Sequence, residues 1–128
     1  MKIERFEDIV GWQKARLLTK AVYDCSKTGE FGRDFSFRDQ IRSASVSLMS
    51  NIAEGFERGG DKEFVQFLST AKGSCGEVRS QLYVAVDQGY ILTSRFDELY
   101  EMSVETSRVI SGFMGYLGRS DLRGSKFK

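Results

Sequence analysis

The sequence predicts an all-α protein, an antiparallel up-and-down bundle of four helices. Three observations carry that expectation. Proline is absent, where average usage of about 5% would give about six, and a chain without it suits long uninterrupted helices. Apolar residues recur at helical spacing in four stretches separated by glycine-containing or polar breaks. Each stretch spans about 22 to 28 residues, or about 33 to 42 Å at 1.5 Å per residue, and long helices with short joints pack as bundles. The 128 residues, 41% hydrophobic and 12% aromatic, suffice for one packed domain over residues 1–128 and exclude a disordered chain.

The first helix is expected over about residues 6–28, ending at Gly29, with the segment EFGRDF around Gly32 read as a loop. Ser36, with Asp39 three residues on, predicts a capping box opening the second helix over about 36–58. Gly59 and Gly60 break it, and Asp61 is the expected N-cap of the third, about 61–88. Gly89 closes that helix. Thr93 or Ser94 caps the fourth, about 94–117, and Gly118 opens a flexible basic tail over 118–128.

Helical steps of 100° give each buried face. Ala15, Leu18, Val22 and Cys25 point inward from the first helix, and Ile41, Ala44, Leu48 and Ile52 from the second. The third contributes Phe64, Phe67, Leu68, Ala71, Cys75, Val78, Leu82, Ala85 and Val86. Phe96, Leu99, Ser103, Thr106, Ile110, Phe113, Met114 and Leu117 follow from the fourth. These are core positions and imply no cofactor. The two glycines of KGSCGE, Gly73 and Gly76, each cost about 1 kcal/mol in a helix relative to Ala, which predicts close approach by another helix.

The second helix departs from a single stripe. Val46, Met49 and Ala53 form a second apolar strip, read as nearly opposite the first, which predicts contact with another subunit. Between the strips runs a polar line of Gln40, Ser47, Asn51 and Glu54. With Ser74 and Glu77 it is expected to form a structural network, Asn51 and Glu54 buried, and Glu54 and Glu77 accepting from Asn51, Ser74 or an arginine.

Several functions are made improbable by composition. Histidine is absent, which removes the commonest metal ligand and the usual base near neutral pH. KGSCGE places its lysine before the glycine, the reverse of a phosphate loop, and Glu54 with Glu77 lacks the histidine partner a di-metal bundle uses. No catalytic residue, metal, cofactor or small-molecule substrate is expected. Two cysteines, Cys25 and Cys75, make neither a disulfide framework nor a metal set and fit a reducing cytoplasm. The opening MKIERFEDIV lacks the apolar core of a signal peptide, and the run Leu82 to Val86 falls far short of the roughly 20 residues of a membrane span.

With 19 Lys plus Arg against 18 Asp plus Glu, the formal charge is only +1, yet the charges are segregated. Arg16, Lys20 and Lys27 share one face of the first helix with Gln13, and Asp97, Glu98, Glu101 and Glu105 one face of the fourth. Unlike faces of this kind favour a head-to-tail contact that closes into a ring. Arg38, Arg42 and Arg58, and in the tail Arg119 and Arg123 with Lys126 and Lys128, add cations suited to phosphates.

The run QIRSASVSLMSNIAEGFERGGDKEFVQFLSTAKGSCGE, Gln40 to Glu77, carries a family resemblance. Its Gln40, Arg42, Ala44, Ser47, Asn51 to Gly55, Arg58, Phe64, Phe67, Leu68, Ala71, Gly73, Ser74 and Glu77 resemble the bundle proteins encoded in intervening sequences of bacterial 23S rRNA genes. Trp12, Gln13, Ala15 and the Tyr23 region extend the likeness over about residues 5–117. It implies an up-and-down four-helix bundle, a homopentameric ring, and binding of RNA or DNA. The chain departs from the family's pattern in lacking a proline and a second arginine near the second helix's start, where Ser43 follows Arg42. The expected function is thus a non-enzymatic, ring-forming, nucleic-acid-binding protein of the bacterial cytoplasm. The alternative is a protein-interaction scaffold with no nucleic-acid ligand.

Overall fold

The computed structural model describes residues 3–121. Among them are a 3-10 turn at Phe6–Asp8 and five α-helices: α1 (Val10–Cys25), α2 (Gly29–Arg33), α3 (Phe35–Glu57), α4 (Asp61–Asp87) and α5 (Thr93–Asp121), with no strand. Packing is most extensive between α3 and α4, then between α4 and α5, while α1 lies against both α3 and α5. The four long helices therefore meet in the cyclic order α1, α3, α4, α5.

The expected stripes meet in one core. Leu18, Ile41, Leu48, Ile52, Phe64, Leu68, Leu82, Leu99, Ile110 and Leu117 are fully buried, each contributing about 1.5–3 kcal/mol of transfer free energy. Cys75 is buried as a small core residue, and its thiol donates to the Ser103 carbonyl oxygen at 3.1 Å. Cys25, Val86, Phe96 and Met114 are half-buried at the core's margin.

The expected first helix is broken at both ends. The Asp8 carboxylate accepts the backbone N–H groups of Glu4 and Arg5 at 3.0 and 3.2 Å, which holds the 3-10 turn, and Ile9 is extended at φ −78°, ψ 120°. At the other end Gly29 adopts φ +66°, a left-handed conformation favourable to glycine. That turn starts α2, so the expected loop EFGRDF is mostly helical. Phe31 within it is buried and stacks against Phe37 and Tyr90 at 5.5 and 5.3 Å.

Three caps differ from expectation. Asp34, not Ser36, caps α3, because its Oδ1 accepts the Phe37 N–H at 3.2 Å. Gly60, extended at φ −107° and ψ 137°, holds the N-cap of α4, and Asp61 becomes the buried first residue of the helix. Its carboxylate there suits the positive end of the helix dipole. Thr93 is already inside α5, which continues through Gly118 to Asp121. The described part of the expected tail is thus helical; Arg123, Lys126 and Lys128 lie outside the described residues.

Close approach falls at a different glycine from those expected. A Cβ on Gly55 would sit 2.6 Å from Phe67 Cβ and 2.9 Å from Phe64 Cδ1, so α3 and α4 touch there backbone to side chain. Around Gly73 nothing lies within 4 Å, and Gly76 meets only the tip of Arg79. Neither lets another helix of this chain approach. These two surroundings predict opposite outcomes by chemical denaturation. Gly55→Ala should cost about 1–3 kcal/mol, because Phe67 Cβ is fixed to its backbone and the helices must part. Gly73→Ala should stabilise by up to about 1 kcal/mol, the helix-propensity difference alone.

Candidate nucleic-acid interface

The seam between α1 and α3 is built by a fixed register. The Thr19 hydroxyl of α1 lies 3.0 Å from the Ser45 carbonyl oxygen of α3. Arg42 Nε donates to Ser26 Oγ at 2.8 Å and Arg42 Nη2 to the Ser26 carbonyl oxygen at 3.1 Å. Ser26 is fully buried just past the end of α1. The Arg42 cation thus satisfies an orphan carbonyl at a helix C-terminus, where the dipole favours positive charge.

That register lines up two rows of side chains. Trp12, Arg16, Lys20 and Tyr23 follow one another at three- and four-residue steps along the flank of α1 that faces α3, whereas Lys27, expected on the same helical face, lies past the end of the helix at Cys25. Phe35, Arg38, Arg42, Val46, Met49 and Ala53 do the same along the flank of α3 that faces α1. A recess of about 600 Å³ opens between the rows, lined by Trp12, Gln13, Arg16, Leu17, Thr19, Lys20 and Met49, with no carboxylate in its wall.

Three arginines of the seam lie over aromatic rings. The Arg16 guanidinium is 5.9 Å from the Trp12 ring centre, that of Arg42 4.6 Å from Tyr23, and that of Arg38 4.8 Å from Phe35. Arg38 is held further by Asp39 at 3.0 Å and by the Gly32 carbonyl oxygen at 3.1 Å. On α1, Asp24 pairs with both Lys20 at 3.2 Å and Lys27 at 3.5 Å. The hydrogen bond from Lys20 is the main reason its carboxyl lies below the usual range, with Lys27 adding to it. Three of the seam's five cations, Lys20, Lys27 and Arg38, thus share two carboxylates, and with the Asp34 cap at its end the seam still keeps a local excess of positive charge.

The other cations expected to bind nucleic acid lie elsewhere. Arg58 bonds Glu54 at 2.8 Å and Glu63 at 3.0 Å, with its guanidinium over Phe67, which places it at the α3–α4 junction. Arg119 is exposed in the last turn of α5.

The polar network is smaller than expected. Ser47 Oγ lies 3.1 Å from Ser74 Oγ across α3 and α4, and Asn51 Nδ2 donates to the Ser47 carbonyl oxygen at 2.8 Å and to its Oγ at 3.1 Å. Asn51 is half-buried. Glu54 is exposed and bound to Arg58 instead, Glu77 is exposed beside Gln81, and Gln40 is exposed on the first turns of α3. The Glu54 and Glu77 carboxylates and the Gln40 amide stay hydrated at the surface, outside a seam that two serines already bridge.

The second apolar strip also differs. Met49 packs against the core from the α1 flank and Ala53 is half-buried, so the strip flanks the core stripe. Val46 alone of the three is exposed, at 41%. Across α1, Leu17 is 58% exposed. On α5 the acidic face is partly neutralised within the chain: Glu105 meets Lys14 at 3.8 Å and Arg108 at 3.0 Å, and Arg95 pairs with Glu98.

Helical spacing alone does not single out Phe35. At 63% exposure it is among the most exposed large apolar side chains, and its signal in the sequence is an arginine three residues on, one helical turn away. Among the described residues no three His, Cys, Asp or Glu side chains group as metal ligands, and no helix is long and apolar enough to cross a membrane.

Among the described residues the fold is all-helical, with a cationic, aromatic seam between α1 and α3. The chain belongs to the 23S rRNA-intervening sequence protein family, whose profile matches residues 7–112. A crystal structure of a protein of unknown function from the S23 ribosomal protein family of Bacteroides thetaiotaomicron is similar in fold, with a TM-score of 0.75 at 18% identity. The alignment covers 82% of this chain and 98% of that one. No curated protein sequence matches. Neither description names an enzymatic activity.

The end of the seam at Phe35 is anchored by the Asp34 cap, whose second oxygen accepts the Tyr90 phenol at 2.7 Å. That hydrogen bond pushes the Tyr90 pKa up, aided by partial desolvation and by the charges of Asp34 and Glu30. A raised folded-state pKa means the contribution is whole below the unfolded value near 10 and is lost as pH rises through the folded value. Melting temperature should therefore fall more steeply above about pH 10 in the wild type than in Tyr90→Phe, as circular dichroism would show.

Proposed function

We propose that this protein is an antiparallel up-and-down four-helix bundle of the bacterial cytoplasm that binds RNA or other nucleic acid, catalyses no reaction, and assembles as a ring of identical subunits. The observation that carries the binding reading is the α1–α3 seam, where Arg16, Lys20, Lys27, Arg38 and Arg42 line up with aromatic rings between them. Planar guanidiniums match phosphate oxygens bidentately and stack on rings at the same time. The exposed pairs of Lys20 and Lys27 with Asp24 are weakly held in high dielectric, so a phosphate can share either lysine at little cost. The bundle reading rests on the cyclic helix contacts and on short joints between α3, α4 and α5.

One observation favours a second reading on the same face. Leu17 and Val46 are exposed beside the recess that Met49 lines, an apolar surface suited to a protein. The two uses share the seam: the apolar side chains Leu17, Val46 and Met49 dock another subunit, and the cations beside them hold phosphates. The pentamer comes from the family resemblance.

Two measurements test these readings. If several phosphates are neutralised, affinity for structured RNA should fall with salt at a log-log slope of about 0.9 per phosphate on duplex and about 0.7 on single strands. No binding of RNA or DNA at about 50 mM salt would remove the nucleic-acid reading. Met49→Asp places a charge on that apolar surface and should reduce the mass in light scattering to one subunit, whereas salt should only loosen the assembly. A wild type of one subunit at micromolar concentration would leave no ring to explain.

A further inference from the structure

We propose that Phe35 is a stacking platform for one unpaired base, so that the nucleic acid this seam takes is single-stranded. The inference rests on the nucleic-acid reading above and names its ligand. Phe35 opens α3 and is 63% exposed. Its ring is backed by the Arg38 guanidinium at 4.8 Å, which Asp39 and the Gly32 carbonyl oxygen hold in place. Such a ring costs little to preorganise and presents a π-face with a cation beside it, the combination on which unpaired bases stack. A cation for a flanking phosphate is at the same end: Arg33, two residues before Phe35, is exposed in the last turn of α2. A duplex offers no free base to such a ring, because its bases are already stacked.

A second copy of the chain is the competing occupant, and the surroundings disfavour it. The residues that share the surface of α3 with Phe35 are Ser36, Arg38, Asp39 and Arg42, all polar. Val46, the next exposed apolar side chain on that flank, is eleven positions on, about 16 Å at 1.5 Å per residue. Subunit anchors sit instead within contiguous apolar surface.

Labelled oligo-uridine, oligo-deoxythymidine and a blunt duplex of equal length, titrated against the full chain at low salt, provide the test. Phe35→Ala should weaken binding of both single strands by about 5- to 150-fold, the range for loss of one stacked base, and leave duplex affinity unchanged. Phe35→Tyr should restore single-strand binding. The two oligomers also show whether the 2′-hydroxyl matters, and a loss on either supports the platform. Equal losses on duplex and single strand, or none on either single strand, would overturn it while leaving the nucleic-acid reading standing. A fall in mass on light scattering of Phe35→Ala would assign the ring to a subunit contact and overturn it as well. A wild type that holds none of the three ligands removes both readings together. Because Phe35 is exposed, its truncation spares the core, and an unchanged circular dichroism spectrum verifies that.

Discussion

The Arg42 guanidinium grips the end of α1 through Ser26 and lies over the Tyr23 ring at the same time. Everything on the α1–α3 face depends on that grip, because α1 touches α3 less extensively than α4 does. A rotation of α1 by one residue turns its side chains by 100° and would carry Arg16 and Lys20 off the seam. A charged hydrogen bond to a buried carbonyl is also hard to exchange, since breaking it leaves the acceptor unsatisfied in a place water does not reach.

The arginines and lysines of the seam then divide by what holds them. Arg38 and Arg42 are fixed by backbone carbonyls and rings, which aims their remaining N–H groups. Lys20 and Lys27 rest on one exposed aspartate and can reorient. A surface with both kinds of cation can place a phosphate and still adapt to its neighbours along a flexible strand. Arg58 belongs to neither kind, because two glutamates and a ring absorb it at the α3–α4 junction.

Much of the fold was legible because helical periodicity records burial. Leu48 and Ile52, or Leu82 and Ala85, are inward by their spacing alone, and the structure buries them. What periodicity missed depends on contacts distant in sequence or on single dihedrals. Phe31 looked like a loop residue because Gly29 and Gly32 flank it, yet Phe37 and Tyr90 enclose it from two other segments. Asp34 caps α3 in place of Ser36 because its carboxylate serves Phe37 and Tyr90 together, and Tyr90 is distant in sequence. Of the site, the cations were visible as helical rows, but their juxtaposition with Val46 and Met49 was not, since the flank of α3 that meets α1 cannot be read from α3 by itself. Gly73 and Gly76 misled for a related reason: glycine reports a tolerated gap as readily as a required contact.

The contact of Gly55 with Phe64 and Phe67 joins two helices that are neighbours along the chain, separated only by residues 58–60. Pairing of such elements closes a short loop and sacrifices little chain entropy, which makes α3 and α4 the natural nucleus of folding. Docking of α1 on α3 spans a longer stretch, with α2 between them, so it belongs late on the pathway. The α1–α3 face would then exist only once the rest of the chain has consolidated, and a nascent or partly unfolded polypeptide would carry its cations without the surface that arranges them.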